Sequence, residues 1–231
     1  MKKIVVLSGA GISAESGLKT FRDMGGLWES FSIEEVATPE GWKKNPELVL
    51  DFYNKRRAQA ASAIPNAGHL ALNFLQKHFE VQIITQNVDN LHEKAGSENV
   101  MHLHGELSKV RSENKEDLIY EIGGKEIKLG DKAEDNAQLR PHIVWFGEQV
   151  PLIDKAADIC SKSEIFIVVG TSLQVYPAAG LVGYVAKNVP IFVVNPYKTD
   201  LCISNSNIEF IQEPASISLP KLVQKLIVKY A

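Results

Sequence analysis

A doubly wound, Rossmann-like α/β fold, built on a mainly parallel sheet with a smaller discontinuous second domain, is predicted by three features of the 231-residue sequence. Short β-branched runs alternate with longer helix-like segments, each run feeds a polar or glycine-rich loop, and two stretches break that rhythm. Strands buried on both faces read as continuous apolar runs, because neither side of the pleat meets water. Ile4–Leu7, Val81–Thr85, Ile165–Val169 and Ile191–Asn195 fit that description. Helical patterns fit Pro46–Ala63, Gly68–Lys77, Leu152–Lys162, Ala178–Lys187 and Pro220–Lys229. Of the interruptions, Met24–Pro65 is mostly helical with no strand candidate. Glu106–Leu139 is charged, and its Leu118–Leu129 segment reads as a hairpin turning at Gly123-Gly124. The expected division is 1–26, 66–105 and 140–231 for the large domain, and 27–65 with 106–139 for the small one.

The chain carries 25 Lys+Arg against 28 Asp+Glu, a formal charge of −3, with the basic residues spread along its length. That distribution argues against a nucleic-acid partner, which needs a concentrated positive surface. Cys160 and Cys202 are the only cysteines and form no C-x-x-C, so neither a disulfide framework nor a cysteine zinc site can be built from them. A cytoplasmic, monomeric chain is the expectation. The first apolar run, Ile4–Leu7, is too short for a signal peptide, and no stretch approaches the roughly 20 apolar residues of a membrane span.

The first strand runs into Gly9-Ala10-Gly11-Ile12-Ser13, where small residues would let backbone N–H groups approach a pyrophosphate at a helix N-terminus. A tight turn without ligand fits equally well. The next glycine, Gly17, comes six residues after Gly11, and no acidic residue closes a second strand about 20 residues on, so a standard dehydrogenase is disfavoured. Asn87 and Asp89, two apart after a strand, would point together toward the carboxyl edge of the sheet, where α/β folds bind ligands. An Asx-rich turn is the alternative. His102 and His104 alternate onto one strand face, and imidazole titrates near neutrality, so either suits a general base. Tyr53 and Arg56 share a helix face at i,i+3 and could meet one carboxylate, although such pairs are also ordinary solvated surface.

Six segments in order, Gly9–Ser13, Phe21-Arg22-Asp23, Thr85–His92, Leu103-His104-Gly105, Arg140–Glu148 and Gly170–Leu173, give the chain a strong resemblance to the sirtuins, the NAD-dependent protein-lysine deacylases. The resemblance chooses His104 over His102 as catalytic base, since the family's histidine directly precedes glycine. It implies catalytic roles for Asn87 and Asp89 and cofactor contacts from Gly9, Ala10, Gly11, Ile12, Ser13, Gln86, Asn87, Asp89, Gly170, Thr171 and Ser172. Phe21, Arg22 and Asp23 would form a cofactor loop, and Asn195, Pro196, Tyr197 and Ala215 would complete the cofactor site. Val144, Phe146, Gly147 and Glu148 match the segment that pairs with the substrate peptide. Tyr53 and Arg56 match the Tyr-x-x-Arg signature of the subgroup that removes succinyl, malonyl or glutaryl groups.

Sirtuins commonly hold a structural zinc on four cysteines, but Ser112 and Lys115 stand where the first pair would fall. No zinc is expected, because neither residue replaces a thiolate. Ile119, Ile122, Ile127 and Leu129 are expected to hold that module by apolar packing. The implied reaction consumes NAD and an acylated-lysine protein or peptide, and yields nicotinamide, O-acyl-ADP-ribose and free lysine. NAD hydrolysis, ADP-ribosyl transfer and non-catalytic NAD binding are the rival readings.

Overall fold

A computed structural model describes residues 1–18, 31–197 and 207–231. Within them, a parallel sheet runs in the order β3 (Val100–His102), β2 (Glu80–Thr85), β1 (Lys3–Ser8), β7 (Ile165–Val169), β8 (Ile191–Val194) and β9 (Ile208–Ile211). This doubly wound order reverses between β1 and β7, which opens a crevice at the carboxyl ends of those strands. A second, antiparallel sheet has the order β5 (Ile119–Glu121), β4 (Gly105–Ser112) and β6 (Leu139–Ile143).

Alternation along β1 explains the layers. Ile4 and Val6 enter one core with Ile83, Ile167 and residues of α5 (Ala67–Leu75) and α8 (Ala215–Tyr230). Val5 and Leu7 enter the other with Phe166, Val168, α7 (Ile153–Ser161) and a 3-10 helix over Ala178–Tyr184. All four β1 side chains are fully buried, each contributing roughly 2 kcal/mol. The segment expected to be helical through Lys187 thus ends as a tighter helix at Tyr184. The last helix starts at Ala215, with Pro220 inside it rather than at its first turn. Burial of Ala215, Ser218 and Leu219 favours that extra turn.

A third core joins α2 (Ile33–Val36), α3 (Pro39–Lys44) and α4 (Pro46–Ser62) to the small sheet through Val36, Trp42, Phe52, Leu107, Val110, Ile143 and Trp145. Ser32, Thr38 and Asn45 cap these helices with side-chain oxygens, and proline occupies the first turn of α3 and α4. At the far end of α4, Lys94 from α6 (Leu91–Lys94) donates to the carbonyls of Ala60, Ala61 and Ala63 at 2.8, 2.8 and 3.1 Å. These are terminal carbonyls of the kind a helix leaves without internal partners.

The hairpin expected around Gly123-Gly124 does not form. Its first arm becomes β5 and pairs with β4, while the amides of Ile122 and Gly123 bond the carbonyl of Ser108. The second arm is claimed by α4: the Ile127 N–H meets Asn54 Oδ1 at 3.1 Å, and its carbonyl accepts from Asn54 Nδ2 at 2.8 Å. Ile127 is buried and Ile122 packs on the core, but Ile119 and Leu129 are exposed, which corrects the expected apolar set.

The residues standing where the resemblance would place the first zinc cysteines do not fit that ion. Ser112 Oγ donates to Asp135 Oδ2 at 2.7 Å and accepts the amides of Asn114 and Lys115 at 3.1 and 3.3 Å, giving a hydrogen-bonded knot without a thiolate. Among the described residues, no three His, Cys, Asp or Glu side chains group as metal ligands, and no helix is long and apolar enough to cross a membrane.

His69 and His92 pack ring to ring at 5.1 Å beneath the sheet edge, and both are fully buried. Burial pushes His69 down to about 4. It pushes His92 well below the ordinary histidine value, helped by the nearby positive charge that His69 and His102 would carry. Folded values below the unfolded value near 6.5 mean that the unfolded chain binds more protons as pH falls. Stability from these rings is therefore complete above about pH 6.5 and is lost toward pH 4, on the order of 3 kcal/mol for His69. In thermal melts, His69→Gln is expected to keep the α5 capping partner while reducing the drop in Tm between pH 7 and pH 5. A drop identical to the parent's would show that His69 does not contribute.

Candidate functional site

The loops after β1 and β7 touch where the strand order reverses. The Gly9 N–H donates to the carbonyl of Val169 at 3.0 Å, and the Gly11 N–H to that of Gly170 at 2.8 Å. A Cβ on Gly170, at φ +62°, would lie 2.2 Å from the Ile12 nitrogen. One on Gly11 would lie 2.8 Å from Gly170 Cα. The small residues thus permit one loop to approach the other. In the described structure the N–H groups of Ala10, Thr171 and Ser172 around this contact carry no hydrogen bond. The helix α1 (Gly11–Ala14) is a single turn, with Ile12 and Ser13 buried.

Further along the crevice, Gln86 Nε2 donates to Thr171 Oγ1 at 3.2 Å, and Asn195 Nδ2 reaches the Thr171 carbonyl at 3.3 Å. Pro196 and Tyr197 follow β8, Tyr197 being largely exposed. Ala215 is instead buried at the start of α8, with its carbonyl close against Gly68. Phe21, Arg22 and Asp23 lie outside the described residues.

Beside Gln86, three buried polar side chains meet. Asn87 Nδ2 donates to Ser13 Oγ at 3.1 Å, while its Oδ1 is buried without a partner. Asp89 accepts the Leu91 amide at 3.1 Å; burial raises its pKa above the ordinary carboxyl value, against the hydrogen bonds from Leu91 and Ser13 and the charges of His102 and Arg56.

The two histidines separate by their partners. His102 Nδ1 lies 2.8 Å from the Asn87 carbonyl and Nε2 lies 2.8 Å from Glu93 Oε1. Burial works against a charged ring here, but the Glu93 carboxylate and Asn87 carbonyl more than offset it, so the pKa is raised. With both nitrogens engaged, His102 holds the Asn87 backbone rather than offering a base. His104 Nδ1 lies 3.0 Å from the Gln86 carbonyl, which can only accept, so this nitrogen carries the proton of the neutral ring. Its Nε2 makes no hydrogen bond with the described residues. Burial lowers the His104 pKa, partly countered by the Gln86 bond, so the ring is neutral and basic at pH 7.

Tyr53 and Arg56 project from α4. Tyr53 is buried, and its phenol accepts from Trp145 Nε1 at 3.1 Å. The Arg56 charge acts on both the Tyr53 phenol and Asp89, linking α4 electrostatically to the Asn87–Asp89 segment. From the end of β6 onward, Ile143 and Trp145 face inward, while Val144 is half-buried and Phe146 exposed on the opposite side. The Val144 amide bonds the His104 carbonyl at 3.0 Å and the Phe146 amide bonds that of Ala37 at 2.9 Å. Gly147 turns the chain at φ +90°. The Glu148 carboxylate is occupied inside the protein: it accepts from Arg140 Nη1 at 2.8 Å and from the Trp145 amide at 2.8 Å. Sequence reasoning gave no part to Trp145 or Glu93, because each acts on a side chain of another element, Tyr53 on α4 and His102 on β3, with no motif to mark it.

The family model described as "Sir2 family" matches residues 9–177. A Helicobacter pylori protein named "NAD-dependent protein deacylase" is 54% identical over 227 residues, covering 98% of this chain and 96% of its own. A Bacteroides thetaiotaomicron protein of the same name is 51% identical over 232 residues, covering 98% and 99%. Among solved structures, a mutant Sir2 homologue in complex with ADP-ribose superposes with a TM-score of 0.90 at 36% identity, covering 100% of this chain and 95% of that one. A Sir2 homologue in complex with NAD gives 0.88 at 38%, covering 97% and 89%.

In NMR pH titrations of histidine-labelled protein, His104 is expected to titrate below 6.5 and His102 above it. The opposite order would make His102 the available base.

Proposed function

The chain belongs to the Sir2 family, and on that premise we propose that it is an NAD-dependent protein-lysine deacylase that removes succinyl, malonyl and glutaryl groups as well as acetyl. The observation that carries the reading is the His104 ring, oriented by the Gln86 carbonyl with Nε2 available as a base. The products would be nicotinamide, O-acyl-ADP-ribose and free lysine.

The crevice fits the dinucleotide: the unpaired amides of Ala10, Thr171 and Ser172 suit phosphate oxygens, and the orphaned Asn87 Oδ1 suits a hydroxyl or amide donor. Bound NAD supplies an electrophilic ribose carbon with a cationic pyridinium leaving group. The work of this chain is then positioning and proton transfer. His104 Nε2 accepts a proton from a ribose hydroxyl, and its lowered pKa keeps it unprotonated at neutral pH. Ser13 and His102 hold Asn87 by its side chain and its carbonyl, so its free oxygen keeps one direction. Buried Asp89, close to the Arg56 charge, ties that segment to the acyl-binding helix. Substrate peptide would add as a strand beside Val144–Glu148, where Val144 and Phe146 present a face away from the core. The preference for acidic acyl groups is supported by the Tyr53 phenol and Arg56 guanidinium on one face of α4.

Mass spectrometry of matched succinyl- and acetyl-lysine peptides, with and without NAD, tests the reading. His104→Ala is expected to lower deacylation at least ~100-fold while NAD affinity stays near the parent's. Loss of NAD binding as well would make His104 structural. Tyr53→Phe with Arg56→Met is expected to depress desuccinylation far more than deacetylation, and equal losses would refute the carboxylate clamp. Nicotinamide release with neither peptide changed would favour NAD hydrolysis or ADP-ribosyl transfer.

A further inference from the structure

We infer that Trp145 fixes the Tyr53 hydroxyl as a hydrogen-bond donor toward the bound acyl group, and that this direction is a determinant of selectivity for acidic over neutral acyl chains. The inference rests on the acidic-acyl reading above and adds a residue which that reading does not use.

The argument begins with what an indole can do. Its N–H only donates. Trp145 Nε1 lies 3.1 Å from the Tyr53 hydroxyl, so the phenol oxygen is the acceptor in that bond. Among the described residues the hydroxyl has no other partner, which leaves its own proton to be given to a ligand. Burial pushes the phenol up to about 12, against the favourable Arg56 charge and the Trp145 bond, so the proton is retained across the working range. A carboxylate at the end of an acyl chain offers acceptor oxygens for this proton, and Arg56, whose charge already acts on the phenol, supplies the counter-charge. An acetyl group ends in a methyl and offers nothing to accept it.

The indole is held so that its N–H cannot turn away. The Arg140 guanidinium stacks 3.4 Å from the ring centroid, and Trp42 packs at 5.8 Å. The main-chain N–H of Trp145 donates to Glu148 Oε2 at 2.8 Å, and that carboxylate is fixed by Arg140 Nη1 on its other oxygen. Arg140 Nη2 in turn donates to the Ile143 carbonyl at 3.0 Å. Arg140, Trp145 and Glu148 thus form a rigid backing whose hydrogen bond to α4, among the described residues, is the one to Tyr53. Trp145 is a positioning residue, because it acts through the phenol.

The test is steady-state kinetics on matched succinyl- and acetyl-lysine peptides for the parent, Trp145→Phe, Tyr53→Phe and the double variant. Trp145→Phe is expected to raise the succinyl-to-acetyl ratio of KM values by about five- to tenfold, the scale of one ordinary hydrogen bond, because the phenol keeps its proton and loses only its fixed direction. In the Tyr53→Phe background the same change is expected to leave that ratio where it is. Trp145→3-benzothienylalanine, which keeps the indole shape with sulfur in place of N–H, is expected to reproduce the shift and decides the matter if the Phe variant does not fold. An unchanged ratio, equal losses on both peptides, or additive effects in the double variant would overturn the inference while leaving the acidic-acyl reading intact. A parent enzyme whose succinyl turnover is absent or insensitive to Tyr53→Phe would overturn that reading and this inference with it.

Discussion

A Cβ on Gly105 would sit 2.0 Å from the carbonyl oxygen of His142, at a φ of +80° that side chains disfavour, so only glycine lets β4 begin where it does. The rest of the site follows from that close approach. β3 ends in the large sheet at His102 and β4 opens the small sheet at Gly105, so the chain changes sheets across Leu103 and His104. The backbone is pinned from both sides, by the Leu103 amide on the Thr85 carbonyl at 2.9 Å and by the Val144 amide on the His104 carbonyl at 3.0 Å. The imidazole therefore inherits its place from two sheets at once, and needs only the Gln86 carbonyl to set its tautomer.

Histidines in one small region take different charge states for reasons visible in their neighbours. His69 and His92 are buried and His104 half-buried, none with a carboxylate in hydrogen-bond contact, and desolvation holds each below the ordinary value. His102 is also desolvated, but Glu93 and the Asn87 carbonyl raise it. Burial lowers the pKa of both buried guanidinium groups, Arg140 even beside the Glu148 carboxylate, and each is held by hydrogen bonds: Arg140 to Glu148 at 2.8 Å, Arg57 to the Leu107 carbonyl and to Asn54, both at 2.6 Å. Buried charge in this protein is kept where a second structural element is thereby fixed, and removing one partner would cost more than the pair contributes.

Much of this was legible in the sequence where one physical signal dominated. The β-branched runs at Ile4, Val81, Ile165 and Ile191 mark strands because burial on both faces leaves no other composition possible, and the order of segments implied the doubly wound sheet. Asn87 and Asp89 were proposed from their place after a strand and His104 from motif resemblance, and the structure brings all three to the same crevice region through Gln86, Ser13 and His102. The hairpin at Gly123-Gly124 misled, because its turn signal is local whereas the partner of Ile127 is the Asn54 amide on another element. Periodicity left His102 and His104 equal and the resemblance chose His104; the acceptors at Gln86, Asn87 and Glu93 that set the two rings apart are encoded by no periodicity. Trp145 reads in sequence as an apolar core residue, which it is; its polar edge gains meaning only when Tyr53 comes to rest beside it.

The ammonium of Lys94 closing the end of α4 has a further consequence. α6 begins two residues after Asp89, so the same short stretch of chain bears Asn87 and Asp89 at one end and grips the helix of Tyr53 and Arg56 at the other. The two segments are thereby braced against each other. Their spacing is set by a three-carbonyl clasp at the end of a helix, so it is a property of the fold rather than of a loop's momentary shape.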